Sequence, residues 1–231
     1  MEVETPKPNT ETPDQPAVQF ESVTPGFDAE FFWERNKKII GGVIGVVMLG
    51  VAGYFLYQNW MESKNSEAVA QSFRAVSLYE QDSLDLALKD GQYSGFPTLA
   101  DEYSGTKTGN LAKFYLGSIY FKKGKIAEGI EQFESFKKSN DQISASAYAA
   151  LGFGYEEQKD FKQAADNYEK AASINENSQT SPFYLMNAAR CYESNGDKEK
   201  ALSVYKKVKD LYPLSAEGQQ VEKYIARLSN D

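Results

Sequence analysis

The chain has 231 residues, with 25 basic against 33 acidic side chains, a net charge of −8, one cysteine and no histidine. A lone Cys191 without any imidazole leaves no internal disulfide, no Cys/His zinc site and no Ser-His-Asp or Cys-His catalytic pair. There is no GxxxxGK phosphate loop and no basic face, so neither an enzyme nor a cofactor is expected, and no nucleic acid or small-molecule substrate.

Residues 1–26 hold Pro6, Pro8, Pro13, Pro16 and Pro25, and the first 30 residues carry seven acids against Lys7 alone. Such a stretch buries too little apolar surface to offset its ordering entropy, and a disordered acidic tail is expected there. Residues 27–33 turn aromatic and predict a short interfacial lead into the next element.

That element is WERNKKIIGGVIGVVMLGVAGYFLYQNW, residues 33–60. From residue 39 to residue 61 the chain runs 23 residues without a charge. At 1.5 Å per residue this makes a helix of about 34 Å, enough to cross a hydrocarbon core of about 30 Å. Tyr54, Tyr57 and Trp60 cluster at one end and Trp33 sits before the other, as interfacial aromatics do. A cleaved signal peptide fits poorly: the run is long, 38 mostly acidic or proline-rich residues precede it, and no A-x-A site or lipobox cysteine is present. An interfacial segment followed by a single uncleaved transmembrane helix is the expectation over residues 27–62. Arg35, Lys37 and Lys38 abut its N-terminal end, which predicts a cytoplasmic N-terminus with the large domain across the membrane, in a bacterium the periplasm beyond the inner membrane. Gly41, Gly45, Met48 and Ala52 share one helical stripe; it is read either as a contact for another membrane helix or as ordinary glycine usage in such helices.

Between Tyr54 and Gly91 there is no proline and, before Gly91, no glycine, and Val69, Phe73 and Val76, flanked by Ala68, Ala75 and Leu78, keep helical spacing. The span is therefore expected to run on into the following domain, or to pause only near residue 63, with residues 63–106 forming a helical extension and a degenerate repeat. From residue 107 to residue 231 the chain repeats itself. Tyr120, Tyr155 and Tyr192 lie 35 and 37 residues apart, and Gly129, Ala164 and Ala201, then Phe133, Tyr168 and Tyr205, fall in the same register. Each unit reads as helix, polar turn, helix, with turns KKGK, EQKD and SNGD. A helix pair of this size has too little apolar surface to stand alone and must stack on its neighbours. Cys191, among Ala188, Ala189 and Tyr192, reads as a small buried hydrophobe.

These units resemble tetratricopeptide repeats. Leu116-Gly117 with Tyr120, and Leu151-Gly152 with Tyr155, match the first-helix motif, and Ala188-Ala189 keeps the small residues in the third unit. Ala164 and Ala201 match the second-helix alanine, where the first unit has Gly129, and Pro213 alone matches the closing proline. The resemblance implies an all-α chain: the apolar helix, then a solenoid of about three full repeats, a degenerate earlier unit ending in residues 96–110, and a C-terminal capping helix in LSAEGQQVEKYIARL. It also implies a concave groove that binds peptides or proteins. The groove positions carry over to Phe114, Ser118, Phe121 and Lys122, then Ala149, Phe153 and Glu156, then Phe183, Met186 and Arg190. Their phenylalanines and methionine suggest either an apolar groove or a surface covered by a neighbouring helix. The Lys/Asn pattern that grips C-terminal carboxylates is missing at Phe114 and Ser118.

The whole layout, with FFWERNKKIIGG leading into one span and a repeat domain beyond it, resembles the YfgM-type ancillary subunit of the bacterial Sec translocon. That resemblance implies translocon subunits and a membrane-anchored periplasmic prolyl isomerase or chaperone as partners, in protein export. A scaffold for another envelope assembly, in cell-wall or outer-membrane biogenesis, shares the same fold and topology.

Overall fold

A computed structural model describes residues 29–139, 142–174 and 176–230. The acidic tail expected over residues 1–26 lies outside them. The chain divides into two compact units, Met1–Tyr54 and Phe55–Asp231.

The described part of the first unit is helical throughout, and it is the beginning of helix α1, Ala29–Glu80. Among the described residues α1 is the one helix long and apolar enough to cross a membrane, and none of its most apolar stretch is buried in the fold. Ile39, Val46, Leu49 and Leu56 are 68, 71, 75 and 72% exposed, so this is not the core helix of a soluble domain. Gly41, Met48 and Ala52 are exposed with it, and Gly45 is half-buried.

In the second unit α1 continues without a break near residue 63, and it ends at Glu80 as the first helix of a stacked array. The array continues with the single turn α2 (Leu84–Ala87), α3 (Phe96–Glu102), α4 (Lys107–Lys122), α5 (Ile126–Ser135), α6 (Gln142–Glu157), α7 (Phe161–Ile174), α8 (Ser181–Ser194) and α9 (Lys198–Leu211). The short α10 (Ala216–Gln220) and α11 (Glu222–Asn230) close it. The three pairs α4/α5, α6/α7 and α8/α9 are the three periodic units. The spacing that identified them in the sequence is the spacing of the packed helices.

The small residues sit where helices cross. A Cβ at Gly117 would lie 2.7 Å from the Phe133 ring, and one at Gly152 would lie 2.8 Å from the Tyr168 ring. At the turns inside each pair the backbone passes through the left-handed region at Gly124 (φ 72°), Lys159 (φ 63°) and Gly196 (φ 82°). Lys159 holds the position that glycine holds in the other two turns. The next helix is capped by Asp160, which accepts from the Gln163 amide at 3.1 Å, and by Asp197, which accepts from the Lys200 amide at 3.3 Å.

Two joints are built alike. Thr106 Oγ1 donates to the Tyr103 carbonyl (2.8 Å) and accepts from the Gly109 amide (3.0 Å). Ser215 Oγ donates to the Tyr212 carbonyl (2.9 Å) and accepts from the Gly218 amide (2.9 Å). A Cβ at either glycine would fall 1.9 Å from that tyrosine's carbonyl oxygen. The joint before the first periodic unit therefore equals the joint after the last. This identifies α3 as the second helix of the degenerate unit and α10–α11 as the start of a further first helix, serving as the cap.

Two apolar cores run through the array. One joins Ala68 and Ala75 of α1 to Phe96, Leu99 and Ile119; the other runs from Ile130 and Phe133 to Tyr205, Val208 and Val221. The first core ties α1 to the repeats through polar contacts as well. Tyr103 donates to Glu67 at 3.1 Å, and Asn65 accepts from both the amide and hydroxyl of Thr108, at 3.0 and 3.1 Å. Met61, the last residue of the uncharged run, packs its thioether against Gly105.

Candidate functional site

The residues singled out for the groove lie on the first helices α4, α6 and α8, and the structure sorts them into three kinds. Phe153 and Phe183 are open to solvent, 42 and 51% exposed, and Lys122, Glu156 and Arg190 are on the accessible side with them. Phe114, Ser118, Phe121 and Ala149 are half-buried. Met186 is buried, at 5% exposure, and belongs to the core rather than to an open face. The reason is the cap. Ala216, Gln220 and Tyr224 from α10–α11 close over this end of α8 and leave a cleft of about 210 Å³ with Phe183, Asn187 and Arg190 at its edge.

The phenylalanines form a continuous strip. Phe114 meets Phe133 and Phe136 edge-on at 5.5 and 5.9 Å, and Phe121 lies 5.2 Å from Phe133 and 5.6 Å from Phe153. Phe153 is the exposed end of this strip, so a bound apolar side chain there would stack on aromatics that are already fixed in place.

The polar groove residues are engaged. Ser118 Oγ donates to the Phe114 carbonyl at 2.9 Å. Lys122 pairs with Asp82 at 2.8 Å while its ammonium lies 5.0 Å from the Tyr79 ring centroid, and Lys123 pairs with Asp85 beside it. Hydrogen bonding to Asp82 raises the Lys122 pKa, and hydrogen bonding to Lys123 lowers that of Asp85. Glu156 accepts from the Tyr168 hydroxyl at 3.2 Å. The Arg190 guanidinium beside the Tyr224 hydroxyl pulls that phenol below its ordinary pKa.

Glu156 belongs to a pattern that the sequence reading missed. Tyr205 pairs with Glu193, the equivalent of Glu156 one unit later. In the first unit both positions are phenylalanine, Phe121 and Phe133, in ring contact. Each pair carries a matching residue between its helices. A Cβ at Gly129 would lie 2.2 Å from the Phe121 ring, whereas the units with glutamate accommodate Ala164 and Ala201. The signal was present in the alignment as Phe/Gly/Phe against Glu/Ala/Tyr twice. A second pattern links neighbouring units: Tyr155 donates to Glu134 of the preceding pair, and Tyr192 to Glu169 and Asp166 at 2.6 and 3.1 Å. Burial first, then the carboxylate, pushes the Tyr155 phenol up to about 12 and raises Tyr168, Tyr192 and Tyr205 above the ordinary phenol value.

Cys191 is buried, and burial with the nearby Glu156 pushes its thiol up to about 12, so it stays protonated and inert. No group of acids and cysteine among the described residues is placed to hold a metal ion.

A stack of helix pairs with small residues at the crossings is the geometry of a helical repeat array. The family described as tetratricopeptide repeat-like domain matches residues 31–153, more than half of the chain. The chain belongs to that family. Two further tetratricopeptide repeat matches cover residues 145–178 and 184–215, which are the second and third units. Among curated relatives, a Photosystem I assembly protein Ycf3 of Prochlorococcus marinus is 35% identical over 88 residues, 38% of this chain and 50% of that protein. The Photosystem I assembly protein Ycf3 of a Synechococcus species is 35% identical over 69 residues, 30% of this chain and 40% of that protein. The chain spans about half the length or less of the curated relatives it matches. Among solved structures, the Podosopora anserina putative kinesin light chain nearly identical TPR-like repeats align with a TM-score of 0.52 at 14% identity, covering 72% of this chain and 87% of that one. At that identity the likeness concerns the tetratricopeptide fold alone.

Proposed function

We propose that this chain is a membrane-anchored tetratricopeptide adaptor, held by the first part of α1 and binding a partner protein along Phe153, Phe183 and the rim formed by Lys122, Glu156 and Arg190. One observation carries the anchoring: an apolar helix exposed on every side passes without a linker into the first helix of the array. In water such a surface is unfavourable by about 25 cal/mol per Å² of apolar area, and a bilayer removes that cost. The family match begins at residue 31, inside α1, so the apolar stretch is part of the shared pattern.

The finer reading is a single-pass protein of the bacterial inner membrane with its repeats in the periplasm. There it would stand beside the Sec translocon with a membrane-anchored prolyl isomerase or chaperone and serve chains in export. Its support is the basic cluster Arg35, Lys37 and Lys38 before the span, together with the layout that resembles the YfgM-type subunit. A second reading, a scaffold for assembly of another membrane or envelope complex, draws on the similarity to the Photosystem I assembly protein Ycf3.

Purification of the tagged full-length chain in mild detergent, followed by mass spectrometry, separates the two. Translocon subunits with a periplasmic chaperone are the expected companions. Their absence, with subunits of another assembly in their place, would sink the first reading. Protease protection in spheroplasts reports the side on which the repeats lie: digestion from outside is expected, and a protected array would overturn the topology.

A further inference from the structure

Each first helix inside the array is backed by the second helix of the pair before it. Phe96 of α3 stacks on Tyr115 of α4 at 4.8 Å; Ile130 of α5 abuts Gly154 of α6, where Tyr155 reaches Glu134; and α7 receives Tyr192 of α8 on Glu169. The corresponding face of α1, over residues 69–80, has no such helix among the described residues. It opens instead onto a cleft of about 680 Å³ lined by Val69, Ala70, Phe73, Arg74, Leu78 and Tyr93. Phe73 is 80% exposed, whereas Ala68 and Ala75 of the same helix are buried in the core. The other end of the array is closed differently, by α11 with the charged, exposed Glu222, Lys223 and Arg227.

We infer that this face is a second docking surface, separate from the groove, and that its occupant is an amphipathic helix of another protein presenting apolar residues to Phe73 and Leu78 and a carboxylate to Arg74. The shape follows from the register, since a helix fills the equivalent place at every later joint. Residues 69–80 extend about 17 Å along α1, which suits a helix of about 12 residues. The charge follows from Arg74, which is exposed, is the charged residue lining this cleft, and has no ion pair among the described residues. A second copy fits poorly in either arrangement. Head-to-tail stacking would set the charged face of α11 on Phe73. Side-by-side pairing about a two-fold axis would bring Arg74 toward its own equivalent.

A photo-cross-linking phenylalanine analogue placed at Phe73 of the full-length chain, in its native membranes, tests this. The expected product is an adduct with another protein, mapped to a helical segment with one apolar face and an Asp or Glu within a turn of the linked residue. Arg74→Glu should lower its yield at least about tenfold, as loss of a close charge pair does, and Arg74→Lys should retain it. Reversing the partner's mapped acid to lysine should restore the yield with Arg74→Glu. Arg74 is exposed, so the unfolding midpoint of Arg74→Glu should equal that of the parent, which excludes misfolding as the cause. An adduct with a second copy or with lipid, the absence of any adduct, or indifference to Arg74→Glu would each overturn the inference. Loss of the groove partner through Phe153→Asp should leave this adduct intact, which separates the two surfaces.

Discussion

The Tyr192 hydroxyl shares its one proton between Glu169 at 2.6 Å and Asp166 at 3.1 Å, and so fastens the first helix of one unit to the second helix of the unit before it. Tyr155 makes the same bond to Glu134 one unit earlier. In a stacked array, stability is a sum of unit terms and nearest-neighbour terms, and these bonds belong to the second kind. Tyr192→Phe should cost about 1–2 kcal/mol, because the hydroxyl serves charged acceptors that keep some access to water. Chemical unfolding of the full chain in detergent measures it, and an unchanged midpoint would show that the bond contributes nothing net.

The Phe121/Gly129/Phe133 set predicts a conditional substitution. Gly129→Ala forces a Cβ into the Phe121 ring and should destabilise by about 1–3 kcal/mol, the usual cost of overpacking. In a Phe121→Glu, Phe133→Tyr background, which copies the second and third units, the same change should be neutral or stabilising by up to about 1 kcal/mol through helix propensity. A double-mutant cycle read by unfolding decides it; additive effects would refute the coupling.

Lys159 sits at φ 63° where Gly124 and Gly196 sit at 72° and 82°. A left-handed non-glycine residue costs about 1–2 kcal/mol, partly offset by the unfolded-state entropy that glycine adds. Lys159→Gly should therefore stabilise by about 0.5–1 kcal/mol, while Gly196→Ala should destabilise. Equal midpoints for Lys159→Gly and the parent would count against strain at that turn.

Burial of these tyrosines, with the carboxylates beside them, also fixes the response to alkali. The folded chain holds Tyr155 protonated up to about 12, against an ordinary value of 10.0, and Tyr168, Tyr192 and Tyr205 are raised likewise. A phenol whose folded pKa is raised contributes stability that is fully present below the unfolded value and is lost as pH climbs through the folded one. Stability should thus be insensitive to these groups below pH 10.0 and fall above it. Tyrosinate absorbance and circular dichroism followed together should show these four phenols ionising as helicity is lost; ionisation with the helices intact would contradict the burial.

Within the groove, Phe153 and Met186 should behave oppositely. Phe153→Asp removes a single ring contact, with Phe121, and should abolish recovery of the groove partner at a cost of only about 1 kcal/mol in stability. Met186→Asp buries a charge among Leu185, Ala189 and the cap and should destabilise by about 3 kcal/mol or more. Equal loss of stability in both variants would mean that Phe153 is structural.

The repeats were legible because the 35- and 37-residue intervals carry a small residue and an aromatic ring that must meet, as Gly117 meets Phe133 and Gly152 meets Tyr168. The degenerate unit was legible from its second half, where Phe96 and Leu99 enter the core. What stayed hidden depends on contacts between distant residues. Burial of Met186 required the cap to fold back over α8, and no local pattern announces that. The commitment of Glu156 to Tyr168 was readable only by comparing pairs of columns across units, since a single glutamate on a first helix looks like any solvated charge. The open face of α1 was invisible for a related reason: Phe73 has the spacing of a core residue, and only the packed array shows that no helix stands against it among the described residues.

The twin joints at Tyr103–Gly109 and Tyr212–Gly218 bear on how such a chain can change length. Since the array is entered and left through the same turn, a helix pair can be duplicated or lost between them without inventing a new connection. The length of surface that the array presents is then a matter of copy number, adjustable by recombination within a gene while the first helix and the closing helix are kept.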